Sequence, residues 1–346
     1  MNLNQEASRN NFIKFDDLRQ FDLPYKLLTQ FNFRQHLDSL KDQDSINIKS
    51  LQLSIDGECL TIDNNYEFEF KNRSSSKKNL IIICTQNNEE ILEYTLSKIT
   101  NSSAMQFSDI LVVDDRSSSG RTNELCKKLK CSYLRINNTL DLFNFSILNN
   151  IACLFAKKLK SKTITLWNDD VFIDDKNTLN TCLYKHFLWQ SPISGIRLLY
   201  PNDDICKKLN LKTPSKYRDT IQHGGMSIMN HHSHIAAEHS YRFEHKNRIL
   251  ANIDIPTLAV TGAFSIINLE DFIKIGGLNP SLSSLYQDVD LCLRFSLIKK
   301  QKPMYLGSEY MYHAESISLL KDQKLSDFFK NDQQLFNKIW TQPAKQ

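Results

Sequence analysis

From residue 80 onward, short apolar runs alternate with amphipathic stretches, and this alternation constrains the fold more than any other feature of the chain. Residues 80–84 (LIIIC) form a continuous apolar run of strand length, the pattern of a strand covered on both faces. Residues 89–99 then place Leu92, Leu96 and Ile99 on one helical face. A second strand is expected at 110–113 (ILVV), followed by a short helix marked by Leu125 and Leu129. Residues 145–159 carry Leu148, Ile151, Ala152, Phe155 and Leu159 at helical spacing. A third strand at 163–167 leads into a helix marked by Leu179, Cys182, Leu183 and Phe187. A βαβαβ succession of this kind predicts an α/β fold, a mostly parallel sheet flanked by helices.

The second half of the chain is more mixed. A strand is expected at 258–267, a short helix at 269–275 stopped by Gly276-Gly277, and a helix at 288–298 with Leu291, Phe295 and Ile298 facing inward. A short strand at 304–306 leads to His313. Ahead of the α/β region, residues 1–76 read as an accessory region and linker. Within it, 16–40 has irregular helical patterning, 46–70 alternates like short strands, and the polar run from Lys71 to Asn79 is the connector. The α/β domain therefore spans 77–346.

Bulk composition removes several function classes. Hydrophobic residues make up 41% and charged residues 24% of 346, an ordinary globular balance. With 43 basic and 39 acidic residues the net charge is +4, too little for a dedicated nucleic-acid binder but compatible with peripheral contact at an anionic membrane surface. No apolar run reaches the length of a spanning helix, and the polar start MNLNQEASRNNF has no apolar signal core, so a cytosolic protein is expected. Eight cysteines without a CxxC pair fit reduced core residues. The turn after the first strand, Cys84-Thr85-Gln86-Asn87-Asn88, has no glycine, which argues against a dinucleotide fingerprint, and no GxxxxGK[ST] occurs.

Acidic residues follow two strand ends, Asp114-Asp115 and Asp169-Asp170. In an open parallel sheet, ligands bind beyond the carboxyl ends of the strands, so both doublets are expected at one crevice. Capping of the following helix or turn is the structural alternative for each. Further on, Asp288 and Asp290 open a helix, and His313 stands near Glu315. Two carboxylate clusters and a histidine around one cleft suit a divalent cation that holds a diphosphate beside a general base. Asp288 has its own alternative as an N-cap, where the helix dipole would lower its pKa and weaken it as a base. His313 could equally be a satisfied core histidine. The stretch Asn230-His231-His232-Ser233-His234 suggests zinc, but His239 is the only further ligand nearby, and a solvated loop beside an acceptor groove fits better, with His223 lining the same groove.

Read together, these segments resemble the family 2 inverting glycosyltransferases. Trp167-Asn168-Asp169-Asp170-Val171 is similar to the family's Asp-x-Asp-type motif, and VVDDRSSSGRT to its VVDDxSxD turn. LLYPNDDI followed by IQHGGMSI, then TGAF, the Gly-Gly turn, QDVDLCLR and YHAES, occur in the order found in members that build bacterial surface polysaccharides, rhamnosyltransferase-like enzymes among them. The likeness covers most of 80–340. It implies a GT-A fold and a metal-dependent inverting transfer from a nucleotide-diphosphate sugar to a glycan or lipid-linked glycan. Rhamnosyl, galactosyl, glucosyl and N-acetylhexosaminyl donors all stay open.

By that resemblance Asp115, with Thr85 and Asn87, contacts the nucleotide base, and Asp169 the ribose or the metal. Asp170 and His313 bind Mn²⁺ or Mg²⁺, and Asp288 takes the proton from the acceptor hydroxyl. His223, Gly262 and Asp290 belong to the acceptor side, Asp290 with a structural role as its alternative. The chain departs from the family where Ala314 replaces a second histidine and Leu319-Leu320 stand in place of Arg-Gly, with Lys321 as a substitute cation. A homodimer stays open. The competing readings are a sugar nucleotidyltransferase, which should carry a Gly-rich basic loop after the first strand, and a degenerate glycosyltransferase serving as a binding or scaffold subunit.

Overall fold

The computed structural model describes residues 51–55, 58–62, 68–69, 78–136, 143–231, 234–315 and 325–340. A hairpin of β1 (Leu51–Ile55) and β2 (Glu58–Ile62) stands apart as a two-stranded sheet, and β3 (Phe68–Glu69) pairs antiparallel with β6 of the main sheet. The expected division at residue 76 and the helical patterning at 16–40 fall outside the described residues.

The main sheet grows from elements of which the strands near 80–84, 110–113 and 163–167 were foreseen in the sequence and the one at 132–136 was not. In chain order these are β4 (Asn79–Thr85), helix α1 (Glu89–Thr100), β5 (Ser108–Asp115), α2 (Arg121–Leu129), β6 (Ser132–Ile136), α3 (Phe145–Lys158) and β7 (Thr163–Asn168). Strands β6, β5, β4 and β7 lie side by side and parallel, in register so that Thr85 is level with Asp114 and Cys84 with Asn168. Beyond β7 the sheet is completed by β8 (Val171–Phe172), α4 (Thr178–Leu188), β9 (Ile193–Leu199), α5 (Asp203–Lys208) and β10 (Ile221–His223). Then come the hairpin β11 (Met226–His231) and β12 (His234–His239), β13 (Asp254–Pro256), β14 (Phe264–Asn268), α6 (Leu269–Lys274), α7 (Gln287–Lys299), β15 (Met304–His313) and α8 (Leu325–Trp340). The sheet order is β13-β15-β9-β14-β7-β4-β5-β6-β3, with β14 antiparallel between β7 and β9, and β15 parallel to β9.

The apolar run at 80–84 is explained by its two-sided burial. Leu80 and Ile82 join Leu111, Val113, Ile164 and Leu166 under α3, α6, α7 and α8, while Ile81 and Ile83 join Ile110 and Val112 under α1, α2 and α4. Each fully buried aliphatic side chain here contributes about 1.5–3 kcal/mol. The Gly-Gly stop of α6 is as expected: Gly276 (φ 89°) and Gly277 (φ 72°) occupy left-handed backbone, and their N–H groups close onto Ile273 and Phe272 carbonyls.

Two expectations are corrected. Of the predicted strand at 258–267 only 264–267 is in the ladder, because Ala259 bridges to Met226 instead and the chain turns at Gly262-Ala263. The short strand expected at 304–306 runs on to His313, because β9 and β8 both pair with its second half.

Candidate active site

Strand ladders alone put the acidic doublets together. Strands β7, β4 and β5 are adjacent and end level, so Thr85, Asp114-Asp115 and Asn168-Asp169-Asp170 share one edge of the sheet. The Asp169–Asp170 turn is fixed on several sides. Thr85 Oγ1 donates to Asp169 Oδ2 at 2.6 Å, Thr95 Oγ1 to the Asp169 carbonyl at 2.5 Å, and Trp167 Nε1 to the Val171 carbonyl at 3.0 Å. Strand β8 then pairs Val171 with His313, and the Ala314 N–H bonds the Asp170 carbonyl at 3.0 Å.

This pairing delivers His313 to Asp170, with Nε2 3.1 Å from Oδ1. The other ring nitrogen is committed. Gln222 Nε2 donates to the His313 carbonyl at 3.2 Å, which orients the amide so that its Oε1 accepts from His313 Nδ1 at 2.6 Å. Nε2 is thereby left as the ring's ligand atom, the arrangement that supporting partners give a metal-binding imidazole. Burial works against charge on the ring, but the Asp170 and Glu315 carboxylates outweigh it and hold His313 above the ordinary imidazole value. The Asp169 carboxyl is pushed up to about 7, by burial first and then by the Asp170 charge. Asp170 and His313 are the two side chains here whose donor atoms suit a divalent cation, an oxygen and an imidazole nitrogen. Among the described residues no group of three or more His, Cys, Asp or Glu side chains could hold a metal ion, so Asp170 and His313 would need oxygens from a ligand to complete the shell.

Asp114 and Asp115 have separate environments. Asp114 is structural, accepting from Ser117 N (2.9 Å), Tyr133 Oη (2.7 Å) and Arg135 (3.1 Å). Asp115 is fully buried beneath Arg116, whose Nε and Nη2 lie 3.0 and 3.3 Å from its two oxygens, with Gln86 Nε2 at 3.4 Å. Asn87, at φ 51°, ties the two turns together: its N–H donates to Ser117 Oγ and its Oδ1 accepts from Ser118.

Asp288 reaches the same edge from the other side. Its Oδ2 accepts the Gly262 N–H at 2.7 Å, and the neighbouring Ala263 carbonyl accepts the Asn168 N–H at 2.9 Å. One short stretch of backbone thus links Asp288 to the Asp169–Asp170 turn. Asp288 is not the N-cap of α7, since Tyr286 occupies that position with φ 63°. Its Oδ1 accepts the Val289 N–H at 2.8 Å. Burial raises its carboxyl pKa despite these backbone bonds, so the dipole argument for a weak base does not prevail.

Two residues expected on the acceptor side are placed elsewhere. Asp290 is 1% exposed and turned into the core, bonded to Arg294 (2.7 Å) and to Trp340 Nε1 (3.0 Å), which is the structural alternative. His223 does not line an open groove. It is fully buried, its Nδ1 lies 2.9 Å from His239 Nδ1, and burial drives its pKa well down. The side chains of 230–234 and the departures at Leu319, Leu320 and Lys321 lie outside the described residues. Sequence reasoning missed Gln222 and Arg242. Gln222 was within reach as the residue before His223, whereas Arg242, bonded to Glu315 at 2.8 Å and to Tyr200 Oη at 2.9 Å, carries no signal by spacing.

No family model matches the chain, and no curated protein matches it. Solved structures do. GalNAc-T7 with UDP, GalNAc and Mn²⁺ superposes with a TM-score of 0.50 at 12% identity, covering 68% of this chain and 43% of that one. The architecture is GT-A. This chain therefore spans less than half the length of the GalNAc-T7 chain. TarS 1–349 of S. aureus in complex with UDP-GlcNAc matches at 14% identity, with 73% and 64% of the two chains covered and a TM-score of 0.47. The mannosyltransferase PcManGT from Pyrobaculum calidifontis in complex with GDP-Man and Mn²⁺ matches at 10% identity, with 69% and 57% covered and a TM-score of 0.45. At these identities the likeness is one of fold. Among the described residues no helix is long and apolar enough to cross a membrane.

Proposed function

We propose that this chain is a metal-dependent inverting glycosyltransferase that moves a sugar from a nucleotide-diphosphate donor to a glycan or lipid-linked glycan. The observation that carries the reading is the Asp170–His313 pair, 3.1 Å apart with His313 Nδ1 committed to Gln222, on the same sheet edge as a separately held Asp288. The GT-A fold, shared with a glycosyltransferase solved with UDP and Mn²⁺, supports it.

In this reading Asp170 and His313 hold Mn²⁺ or Mg²⁺ and Asp169 supports them. A bound divalent cation supplies counter-charge to the diphosphate as it leaves. Thr85, Asn87 and Asp115 frame the nucleoside, and because Arg116 engages both Asp115 oxygens, base binding there requires Arg116 to give way. Asp288 receives the acceptor hydroxyl's proton. Its two backbone N–H bonds fix the carboxylate, and its raised pKa makes it a better proton acceptor than an exposed aspartate. Gly262 lets the backbone approach, since a Cβ there would lie 3.3 Å from Asp288 Cβ.

The test is a transfer and hydrolysis screen over UDP-, GDP- and dTDP-sugars with Mn²⁺ or Mg²⁺, followed by NMR of the product anomer. Activity should vanish in excess chelator and the anomeric configuration should invert. Full activity in chelator removes the metal role, and a retained anomer removes the single displacement.

A further inference from the structure

The placement of Asp288 depends on a loop that its own helix does not hold. Tyr286, the residue that caps α7, rests at φ 63°, a left-handed conformation that side-chain-bearing residues adopt only where the surroundings over-determine it. Helix α8 supplies that constraint. Asp332, 3% exposed, takes the Ser283 N–H on Oδ1 at 3.2 Å and the Ser284 and Leu285 N–H groups on Oδ2 at 2.8 and 2.9 Å. One turn later Phe336 stacks on Tyr286 with ring centroids 4.6 Å apart and planes at 15°. One turn later again, Trp340 Nε1 donates to Asp290.

Positions 332, 336 and 340 lie on one face of α8, and their contacts run from Ser283 to Asp290, bracketing Asp288. The start of α3 grips the loop from its other side: the Phe145 N–H donates to the Ser283 carbonyl at 3.1 Å and Ser146 Oγ to the Leu282 carbonyl at 2.6 Å. A carboxylate is the side chain this nest requires. N–H donors converge on both of its oxygens, and a neutral amide offers only one acceptor oxygen.

We propose that Asp332 is a positioning residue for Asp288, gathering the 283–285 backbone so that the stacked Tyr286 cap aims the base at the acceptor. This inference rests on the reading of Asp288 as the base. A purely structural Asp332 would register as lost stability with unchanged turnover per folded molecule.

The experiment compares full-length wild type, Asp332→Asn and Phe336→Leu in transfer kinetics with the donor the screen identifies, alongside amide hydrogen exchange over 282–290. Asp332→Asn is expected to lower kcat about 10²-fold through misplacement of the base, with donor KM and donor affinity unchanged and faster exchange at 283–286. Phe336→Leu, which keeps the carboxylate and removes the stack, should lie between. Unchanged kcat in folded Asp332→Asn overturns the proposal, as does an equal loss of donor affinity. If Asp332→Asn does not fold, Phe336→Leu decides by the same split, and unchanged kcat there overturns it. An active wild type with unaffected variants sinks this inference alone. A wild type that transfers from no nucleotide sugar sinks the functional reading as well.

Discussion

The two halves of the candidate site place their carboxylates by different means. On the sheet side, Asp169 and Asp170 sit where parallel strands end level, and their position follows from main-chain ladders plus a few local side chains, Thr85 and Gln222 among them. On the helix side, Asp288 is held by a backbone N–H from Gly262, while its loop is gripped by a helix more than forty residues further along the chain. The electrical settings differ as well. Asp170 faces an imidazole across 3.1 Å, whereas the Asp288 oxygens accept backbone N–H bonds in a setting whose burial raises the pKa. Asp169, on the sheet side, is raised by burial as well, but with the Asp170 charge as a second cause, whereas no neighbouring charge raises Asp288. In the proposed reading one half binds the donor and the other takes the proton, and substitutions should separate them.

The largest separation is expected at Asp288. Asp288→Asn should lower kcat by about 10²–10⁴-fold while donor affinity, read by titration calorimetry with Mn²⁺ present, stays near wild type. Joint loss of both would merge the two halves. The pH profile carries the same assignment. A base must be deprotonated, and a raised pKa means the proton is retained to higher pH. The acid limb of kcat at saturating donor and metal should therefore lie above the ordinary carboxylate range. A limb at or below that range would contradict the assignment.

Next in size is Asp290→Ala. It strands the buried Arg294 guanidinium and removes the Trp340 partner, so it should cost about 3–5 kcal/mol of stability by chemical denaturation, with donor affinity of the folded fraction intact. A loss of well under 1 kcal/mol would show that this ion pair does not tie α7 to α8. Gln222→Leu, on the sheet side, should weaken metal affinity about 10–100-fold, with kcat recovered at saturating Mn²⁺. Unchanged metal affinity would mean that the committed tautomer of His313 does not matter.

The same contrast explains how much could be read from sequence. Strands of continuous apolar residues such as 80–84 announce themselves because both faces are buried, and acidic doublets at their ends inherit a location from the fold class. Strands β4, β5 and β7 and the meeting of Asp114-Asp115 with Asp169-Asp170 were legible for that reason, whereas β6 was not foreseen. Burial is not legible in the same way. Asp290 and His223 have residue types and spacings as suited to a groove as to a core, and only packing turns Asp290 toward Arg294 and His223 toward His239. Gln222 and Asp332 act on partners 91 and 49 residues away, separations at which no local period carries information.

The smallest expected effect is also the finest test of the contrast. Gly262→Ala introduces a Cβ at 3.3 Å from Asp288 Cβ, a distance that demands a shift of a few tenths of an ångström, and at an ordinary contact distance of 3.5 Å from Phe145 Cε1. Gly262 does not occupy left-handed backbone, so alanine meets no conformational penalty there, and the strain falls on the neighbours. Only the Asp288 contact is tight, so the aspartate is the group that gives. A displacement well below 1 Å should lower kcat several-fold, less than the roughly 10²-fold of a full ångström, with donor KM unaltered because the Asp169–Asp170 turn hangs from Ala263 rather than from the new methyl. A rise in donor KM with kcat held would place Gly262 on the donor half and move the boundary between the two halves to the other side of Asp288.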